Sequence, residues 1–211
     1  MPILGALAIG AGGGAALGSV LAARKGAIIG ALVGAGGSAL YAYALSSGIS
    51  HGAYPLILLA ALGCGLMAGF FFAFSAVVME SLAQQPQTAG MATMQTINVV
   101  VFNPWFGTAF IGTAVACVLV MIFALSRWHD PGMVYAFVGA LLYLVGTLLV
   151  TALFNVPRND TLAAVAPTAR GAADLWSSYL TSWTIWNHAR TAAALAAAAL
   201  LTVALAAAWG K

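Results

Sequence analysis

Residues 54–79 read Tyr54-Pro-Leu-Ile-Leu-Leu-Ala-Ala-Leu-Gly-Cys-Gly-Leu-Met-Ala-Gly-Phe-Phe-Phe-Ala-Phe-Ser-Ala-Val-Val-Met79 and contain no charged side chain. A helix needs about 20 apolar residues to cross the hydrocarbon core of a bilayer. The rest of the chain has the same character, because 63% of its 211 residues are hydrophobic and only 5% are charged. Soluble domains carry roughly 25% charged residues. The composition therefore excludes a soluble globular domain and predicts a protein of the lipid bilayer.

Six apolar stretches predict an all-α, polytopic membrane helix bundle with about six transmembrane helices. They cover residues 3–23, 26–47, 54–79, 99–126, 133–154 and 187–209. We expect Pro157 to stop the fifth helix, and Asn159 or Asp160 to cap the helix that follows it. Pro104 is expected to kink the entry to the fourth helix. The chain divides into a Gly-rich two-helix hairpin, residues 1–52, and a four-helix transmembrane domain, residues 53–211.

The placement of Lys and Arg predicts the orientation. If the Arg24-Lys25 loop is cytoplasmic, alternation puts Arg158, Arg170 and Arg190 on the same side and leaves Arg127 and Lys211 outside. Cytoplasmic loops carry an excess of basic residues. We therefore expect a multi-pass protein of the cell membrane with both termini outside the cytoplasm. Arg24-Lys25 follow the first apolar stretch instead of preceding it, so a cleaved signal peptide is not expected.

Gly26, Gly30 and Gly34 form a GxxxGxxxG pattern in the second stretch. Glycine at every fourth position makes a flat helix face that another helix can approach closely. One interpretation is a contact with a second copy of the chain or with a membrane-complex partner. The other is packing of the hairpin against the remaining four helices. Nucleic acid is excluded as a partner, because Arg24-Lys25 is the largest basic cluster.

Cysteine and histidine positions predict no metal site. Cys64 and Cys117 lie in apolar stretches without CxxC spacing and are read as small buried side chains, and His51, His129 and His188 are far apart. The chain also lacks a dinucleotide fingerprint after a strand, a phosphate-binding loop and a GxSxG elbow. No cofactor is predicted, and haem held by His188 stays open as an alternative for which the sequence offers no second ligand.

Three polar segments beside the apolar stretches are candidates for chemistry, because polar groups near lipid are costly. The first contains Gln95, Asn98 and Asn103, whose amides can bind a substrate oxygen or fix the register between helices. The second contains Asn155 and Arg158, and this permanent cation needs an anionic partner. Phe70, Phe71, Phe72 and Phe74 can line an apolar slot, face lipid or fill the core.

The third polar segment runs from Trp176 to Thr191. On a helix it forms two neighbouring stripes, one of Trp176, Tyr179, Trp183, Asn187 and Arg190, the other of Thr184, His188 and Thr191. Interfacial anchoring accounts for the Trp residues. Asn187, His188 and Arg190 together can bind an oxyanion or move a proton. A purely structural role for His188 is the alternative.

Several of these strings also resemble one family. They are Phe72-Ala-Phe-Ser-Ala-Val-Val-Met79, Met94-Gln-Thr-Ile-Asn98, Asn103-Pro-Trp-Phe106, Asn155-Val-Pro-Arg-Asn-Asp160 and Trp183-Thr-Ile-Trp-Asn-His-Ala-Arg190. In this order they resemble the anthrone oxygenase-like family of small integral membrane proteins, over roughly residues 56–208. One position departs from the family pattern, since Glu80 stands where a proline is usual. The Gly-rich residues 1–50 fall outside the resemblance.

The resemblance implies oxidation of an anthrone-like aromatic molecule to an anthraquinone by O2, without metal or flavin. That reaction needs a general base, an oxyanion clamp and a dry apolar slot. Our hypothesis makes His188 the base and lets Arg190, Asn187 and Asn98 stabilise the oxyanion. Phe71, Phe74, Trp105 and Trp183 would flank the rings, and further substrate contacts would come from Gln95, Asn103, Asn155 and Arg158.

Two other functions stay open. A non-catalytic membrane subunit would pack through its Gly faces in a larger complex and use the polar groups only to bond one another. A small transporter would need polar residues in mid-membrane and symmetric halves. The mid-stretch positions here are apolar and the only repeat is the Gly-rich pair, so transport ranks last.

Overall fold

The computed structural model describes residues 53–209, which form five helices joined by short turns. They are α1 (Tyr54–Ala83), α2 (Gln87–Val100), α3 (Pro104–Ser126), α4 (Met133–Ala163) and α5 (Ala172–Trp209). Within these residues, all helices except α2 are long and apolar enough to cross a membrane. The predicted all-helical architecture is confirmed for this region. The two predicted helices at 3–23 and 26–47, and with them the hairpin 1–52, lie outside the described residues.

The larger core lies between α1, α3, α4 and α5, and we call this part the lower tier. Helices α1 and α3 run antiparallel, because Cys64 meets Cys117 and Phe71 meets Phe110. The Tyr143 hydroxyl of α4 donates to the Phe110 carbonyl across 3.0 Å. Large apolar side chains on the outside of this tier are exposed, among them Leu58, Leu62, Leu66, Ile122, Leu125, Leu141 and Leu195. An apolar core inside an equally apolar surface is typical of a bundle in lipid.

A second core lies past the level at which α3 begins, on the side away from the body of α3. We call this part of the bundle the upper tier. The Phe70 and Phe106 rings are 5.1 Å apart, so α3 begins level with Phe70 while α1 continues to Ala83. Helix α2 folds back beside α1 and takes the fourth position in the bundle. Met79, Met91, Met94, Leu162 and Trp176 are buried together here.

Three turns within the long helices are π-helical: Phe74–Val78 in α1, and Leu144–Leu149 and Thr151–Asn155 in α4. The predicted helix stop at Pro157 is therefore wrong. The wider turn before it ends at Asn155, and Pro157 occupies the first turn of the following α-helical segment, where its missing N–H costs little. As a result α4 continues to Ala163, and neither Asn159 nor Asp160 caps a helix.

The other predicted helix boundaries also shift. The stretch 99–126 contains the end of α2 and a new helix. Asn103 caps that helix by accepting the Phe106 N–H at 3.0 Å, and Pro104 is its first residue, so it starts α3 instead of kinking it. The last helix begins at Ala172 instead of near 187. In this helix the polar first half and the apolar second half form one continuous helix.

The two cysteines are free and buried, as predicted, and their Sγ atoms lie 3.9 Å apart. The structure places no group of three or more His, Cys, Asp or Glu side chains within reach of one ion in residues 53–209.

Glycine lets α4 approach α5 closely. A methyl group at Gly146 would overlap the Ala193 side chain, whereas one at Gly69 would meet open space. We expect Gly146→Ala to destabilise the protein by about 1–3 kcal/mol through overpacking. Gly69→Ala, the matched control, should be neutral or stabilising because alanine favours helix. Thermal unfolding in detergent measures both, and an equal rise in Tm for the two variants would contradict this packing.

Candidate functional site

A buried cation lies where the two tiers meet. The Arg190 side chain is 5% exposed, and its guanidinium carbon lies 4.3 Å from the Phe71 ring centroid and 5.1 Å from that of Trp183. Among residues 53–209 the one ion pair is Arg127–Asp130, so the structure gives Arg190 no carboxylate. Its charge is instead stabilised by the two ring faces and by neutral hydrogen-bond acceptors.

Asn187 connects the Arg190 guanidinium to helix α1 by hydrogen bonds. One Arg190 terminal nitrogen donates to Asn187 Oδ1 at 2.6 Å, and the other donates to Thr151 Oγ1 at 3.2 Å. Asn187 Nδ2 then donates to the Phe71 carbonyl at 2.7 Å and to Ser75 Oγ at 2.5 Å. The result is a chain of donors that begins at a positive charge and ends at the Ser75 hydroxyl. Each bond polarises the next in a buried environment.

The π-helical turns supply the polar partners of this cluster. Ser75 lies in the first turn, Thr147 in the second, and Thr151 and Asn155 in the third. Thr147 Oγ1 donates to the Arg190 carbonyl at 3.4 Å, and Asn155 Nδ2 donates to the Trp183 carbonyl at 3.3 Å. Single π turns inside α-helices occur frequently at functional sites.

Two buried atoms of the cluster have no partner among the described residues: Arg190 Nε and Asn155 Oδ1. The first is a donor and the second is an acceptor. A buried polar atom without a partner costs about 1–3 kcal/mol. A water molecule, which both accepts and donates, has the chemistry to satisfy such atoms.

An open groove of about 350 Å³ lies next to this cluster, between the end of α1 and the first half of α5. Ser75, Met79 and Glu80 line one side, and Thr184, Ile185 and His188 line the other. The His188 imidazole is exposed, because His188 follows Asn187 on the helix and faces outwards where Asn187 faces inwards. Ser75 belongs to both the groove and the buried cluster, so it connects them.

A separate network joins α2, α4 and α5 in the upper tier. Asn159 Oδ1 accepts from the Tyr179 hydroxyl at 2.8 Å and from Trp183 Nε1 at 2.9 Å. Asn98 Nδ2 donates to the same Tyr179 hydroxyl at 3.5 Å. Asn98 thus contacts Tyr179, and no bond joins it to Arg190 or Asn187, with which it was grouped by sequence.

Of four other residues predicted to contact the substrate, three bond to other parts of the protein and one is exposed. Gln95 donates to the Leu162 and Val165 carbonyls at the C-terminal end of α4. Asn103 is the cap of α3, and Arg158 donates to the Phe154 carbonyl and to Ser182 Oγ. Trp105 is 87% exposed. None of these four lines the groove.

The structure brings the remaining predicted residues close together. The predicted stripe on α5 is confirmed, since Trp176, Tyr179, Trp183, Asn187 and Arg190 are all buried. Phe71 packs against the Arg190 guanidinium, Asn155 donates to the Trp183 carbonyl, and the Phe74 ring lies 6.0 Å from Trp183. Sequence reasoning missed Ser75, Thr147 and Thr151 as partners, because single hydroxyls in apolar helices normally bond their own backbone.

By fold and site, residues 53–209 form an all-helical unit of membrane type, with a buried cation behind an open groove. Residues 102–200, just under half of the chain, match the family model described as Anthrone oxygenase. Over these residues the match confirms the sequence resemblance to an anthrone oxygenase-like family. Neither a search of the curated proteins nor a search of the solved structures finds a match.

The Arg190–Asn187 bond can be tested by a double-mutant cycle. We expect Asn187→Leu to cost about 2–3 kcal/mol of stability, because it removes an acceptor from a buried charge. Adding Arg190→Met should recover most of that loss, since an apolar pair leaves nothing unsatisfied. Unfolding midpoints of both single variants and the double variant measure the coupling. Additive losses would mean that the two side chains do not interact.

Proposed function

We propose that the protein is a multi-pass protein of the cell membrane that oxidises an apolar, anthrone-like aromatic molecule with O2 and without a cofactor. The family match supports the reaction class. One observation carries the assignment of the site: the donor chain from Arg190 through Asn187 ends at Ser75, and Ser75 lines the same groove as His188. A base and a charge-assisted donor therefore face one space.

The groove has the volume of a small-molecule site. Its volume of about 350 Å³ is in the range of known ligand pockets, which runs from roughly 300 to 1,000 Å³. Its apolar lining is provided by Met79, Ala83, Leu180 and Ile185, and its polar lining by Ser75, Glu80, Thr181, Thr184 and His188. The walls are thus more polar than those of most ligand pockets, in which a few polar atoms fix the orientation of the ligand.

The base starts the reaction. His188 takes a proton from the methylene group between the two aromatic rings, and the negative charge moves to the carbonyl oxygen. The resulting electron-rich anion passes one electron to O2, and the radical pair combines to a peroxide at that carbon. The remaining hydrogen of that carbon then leaves as a proton while the O–O bond breaks, which gives the second carbonyl and releases the outer oxygen as water. Anthrone and O2 are thus converted to anthraquinone and water, and His188 returns its proton to the leaving oxygen.

Ser75 stabilises the oxyanion formed in the first step. Its oxygen accepts from Asn187, so its own hydrogen is available for a group in the groove. Arg190 and Asn187 act through Ser75 and not by contact, which differs from the direct oxyanion contact expected from the sequence. Phe71 and Trp183 hold the guanidinium between their rings, and in this proposal they position Arg190 instead of flanking the substrate.

The role of His188 predicts a large loss of rate on substitution. His188→Gln should lower kcat for aerobic anthrone oxidation by about 10²–10⁴-fold, the usual contribution of a general base. His129→Gln is the matched control, because His129 is also exposed but lies in the α3–α4 turn at the far end of the bundle. O2 uptake and quinone absorbance measure both variants. A wild-type rate in His188→Gln would remove this residue from the mechanism.

The role of Ser75 makes a separate prediction. Ser75→Ala should lower kcat by about 10²–10³-fold, as loss of one oxyanion donor does elsewhere. Ser75→Thr keeps a hydroxyl and should retain much of the activity. Ser81→Ala is the matched control on the same helix, since the exposed Ser81 hydroxyl donates only to the Val77 carbonyl. Equal rates for Ser75→Ala and Ser81→Ala would mean that the donor chain does not reach the substrate.

A further inference from the structure

The helices differ in length in a way that locates the bilayer. Helix α3 has 23 residues and is about 35 Å long at 1.5 Å per residue. That length matches a hydrocarbon core of about 30 Å. Helices α1, α4 and α5 have 30, 31 and 38 residues, so they are about 45–57 Å long. Because α3 begins level with Phe70, the excess length of all three lies in the upper tier.

The charged residues have the same distribution. Of the eight charged residues between 53 and 209, five lie in the upper tier and its turns: Glu80, Arg158, Asp160, Arg170 and Asp174. Arg127 and Asp130 lie in the turn at the opposite end, and Arg190 lies where the tiers meet. The lower tier between these levels contains no charged residue, as expected for the part inside hydrocarbon.

The exposed surface changes from mainly apolar to more polar at the level where the lower and upper tiers meet. Below it, most of the large exposed side chains are leucine, isoleucine and valine. Above it, α2 exposes Thr88, Thr93 and Thr96, and α5 exposes Ser177 and Ser178. Helix α2 has a buried methionine face and a polar outer face, which is typical of a helix at a water boundary.

Between the two surfaces lies a patch of exposed apolar side chains at the α2–α3 turn, which we call the collar. Val99, Val100, Phe102 and Trp105 are 73%, 63%, 77% and 87% exposed. The collar continues the apolar outer surface of α3. Aromatic residues, and Trp in particular, concentrate where acyl chains meet headgroups.

We infer that the collar binds lipid at the edge of the hydrocarbon core and that the upper tier is an extramembrane cap. This rests on the membrane placement in the proposed function. Ser75 and His188 lie at the bottom of the groove, within about one or two helical turns of the collar level. Val77 and Ile185, both 59% exposed, continue the apolar surface beside the groove. An apolar aromatic molecule dissolved in the bilayer therefore enters the groove from the lipid surface and does not cross bulk water.

Site-directed spin labelling of the full chain in phosphatidylcholine vesicles tests this placement. Single cysteines replace Ile122 in the lower tier, Phe102 in the collar and Ser178 in the cap. Thr93→Cys and Thr202→Cys are a matched pair, because both threonines are exposed and both donate to the carbonyl four residues before them at 2.8 Å. Because Cys64 and Cys117 are buried, the unsubstituted protein serves as the control for background labelling of the native cysteines.

Collisions with O2 report lipid, and collisions with a water-soluble nickel chelate report water. We expect labels at Ile122 and Thr202 to respond to O2, labels at Thr93 and Ser178 to respond to nickel, and the Phe102 label to lie between them. If Thr93 and Ser178 respond like Thr202, the cap is inside hydrocarbon and the inference is wrong, whatever the oxygenase activity. If all five labels respond to nickel, the membrane placement in the proposed function is wrong as well.

Discussion

The structure depends on accommodating one guanidinium that has no carboxylate among the described residues. Burying a permanent cation is costly, and Arg190 is stabilised by two ring faces and by two side-chain oxygens, those of Asn187 and Thr151. This requirement explains why α1, α4 and α5 converge at one level. It also explains why polar side chains from distant parts of the chain meet there. Hydrogen bonds through Asn187 and Ser75 connect this charge to the groove, which Arg190 itself does not line.

Much of the fold follows from the sequence, because the forces that decide it are local. A run such as residues 54–79 has few alternatives to a long helix, and the stripe from Trp176 to Arg190 has the spacing of a buried helix face. The helix ends were less predictable. Pro157 reads as a stop, yet a π turn before it lets the helix continue, and such a turn depends on tertiary packing instead of on any one residue.

The site was predictable in its parts and not in its connections. Arg190, Asn187 and Asn155 stand out because polar groups are rare in these helices. Their grouping with Asn98, Asn103 and Trp105 came from proximity along the chain to apolar spans, and the structure gives those residues other positions. Ser75 stands in one of the strings that resemble the family, but its residue type predicted no polar contact, because a serine in an apolar helix usually bonds its own backbone. Its role in the proposed function depends on an amide from a helix more than a hundred residues away, which composition and spacing cannot reveal.

The three π-helical turns have a consequence for how this chain tolerates insertions and deletions. Each wide turn holds one residue more than an α-helical turn would, so deleting a single residue there can restore regular helix without leaving a gap. Because the wide turn absorbs its extra residue locally, the helix beyond the deletion would keep nearly the same phase around its axis. In α1 Glu80 would stay on the groove, and in α4 Asn159 would stay beside Tyr179. These turns are therefore positions at which related chains can differ in length by one residue.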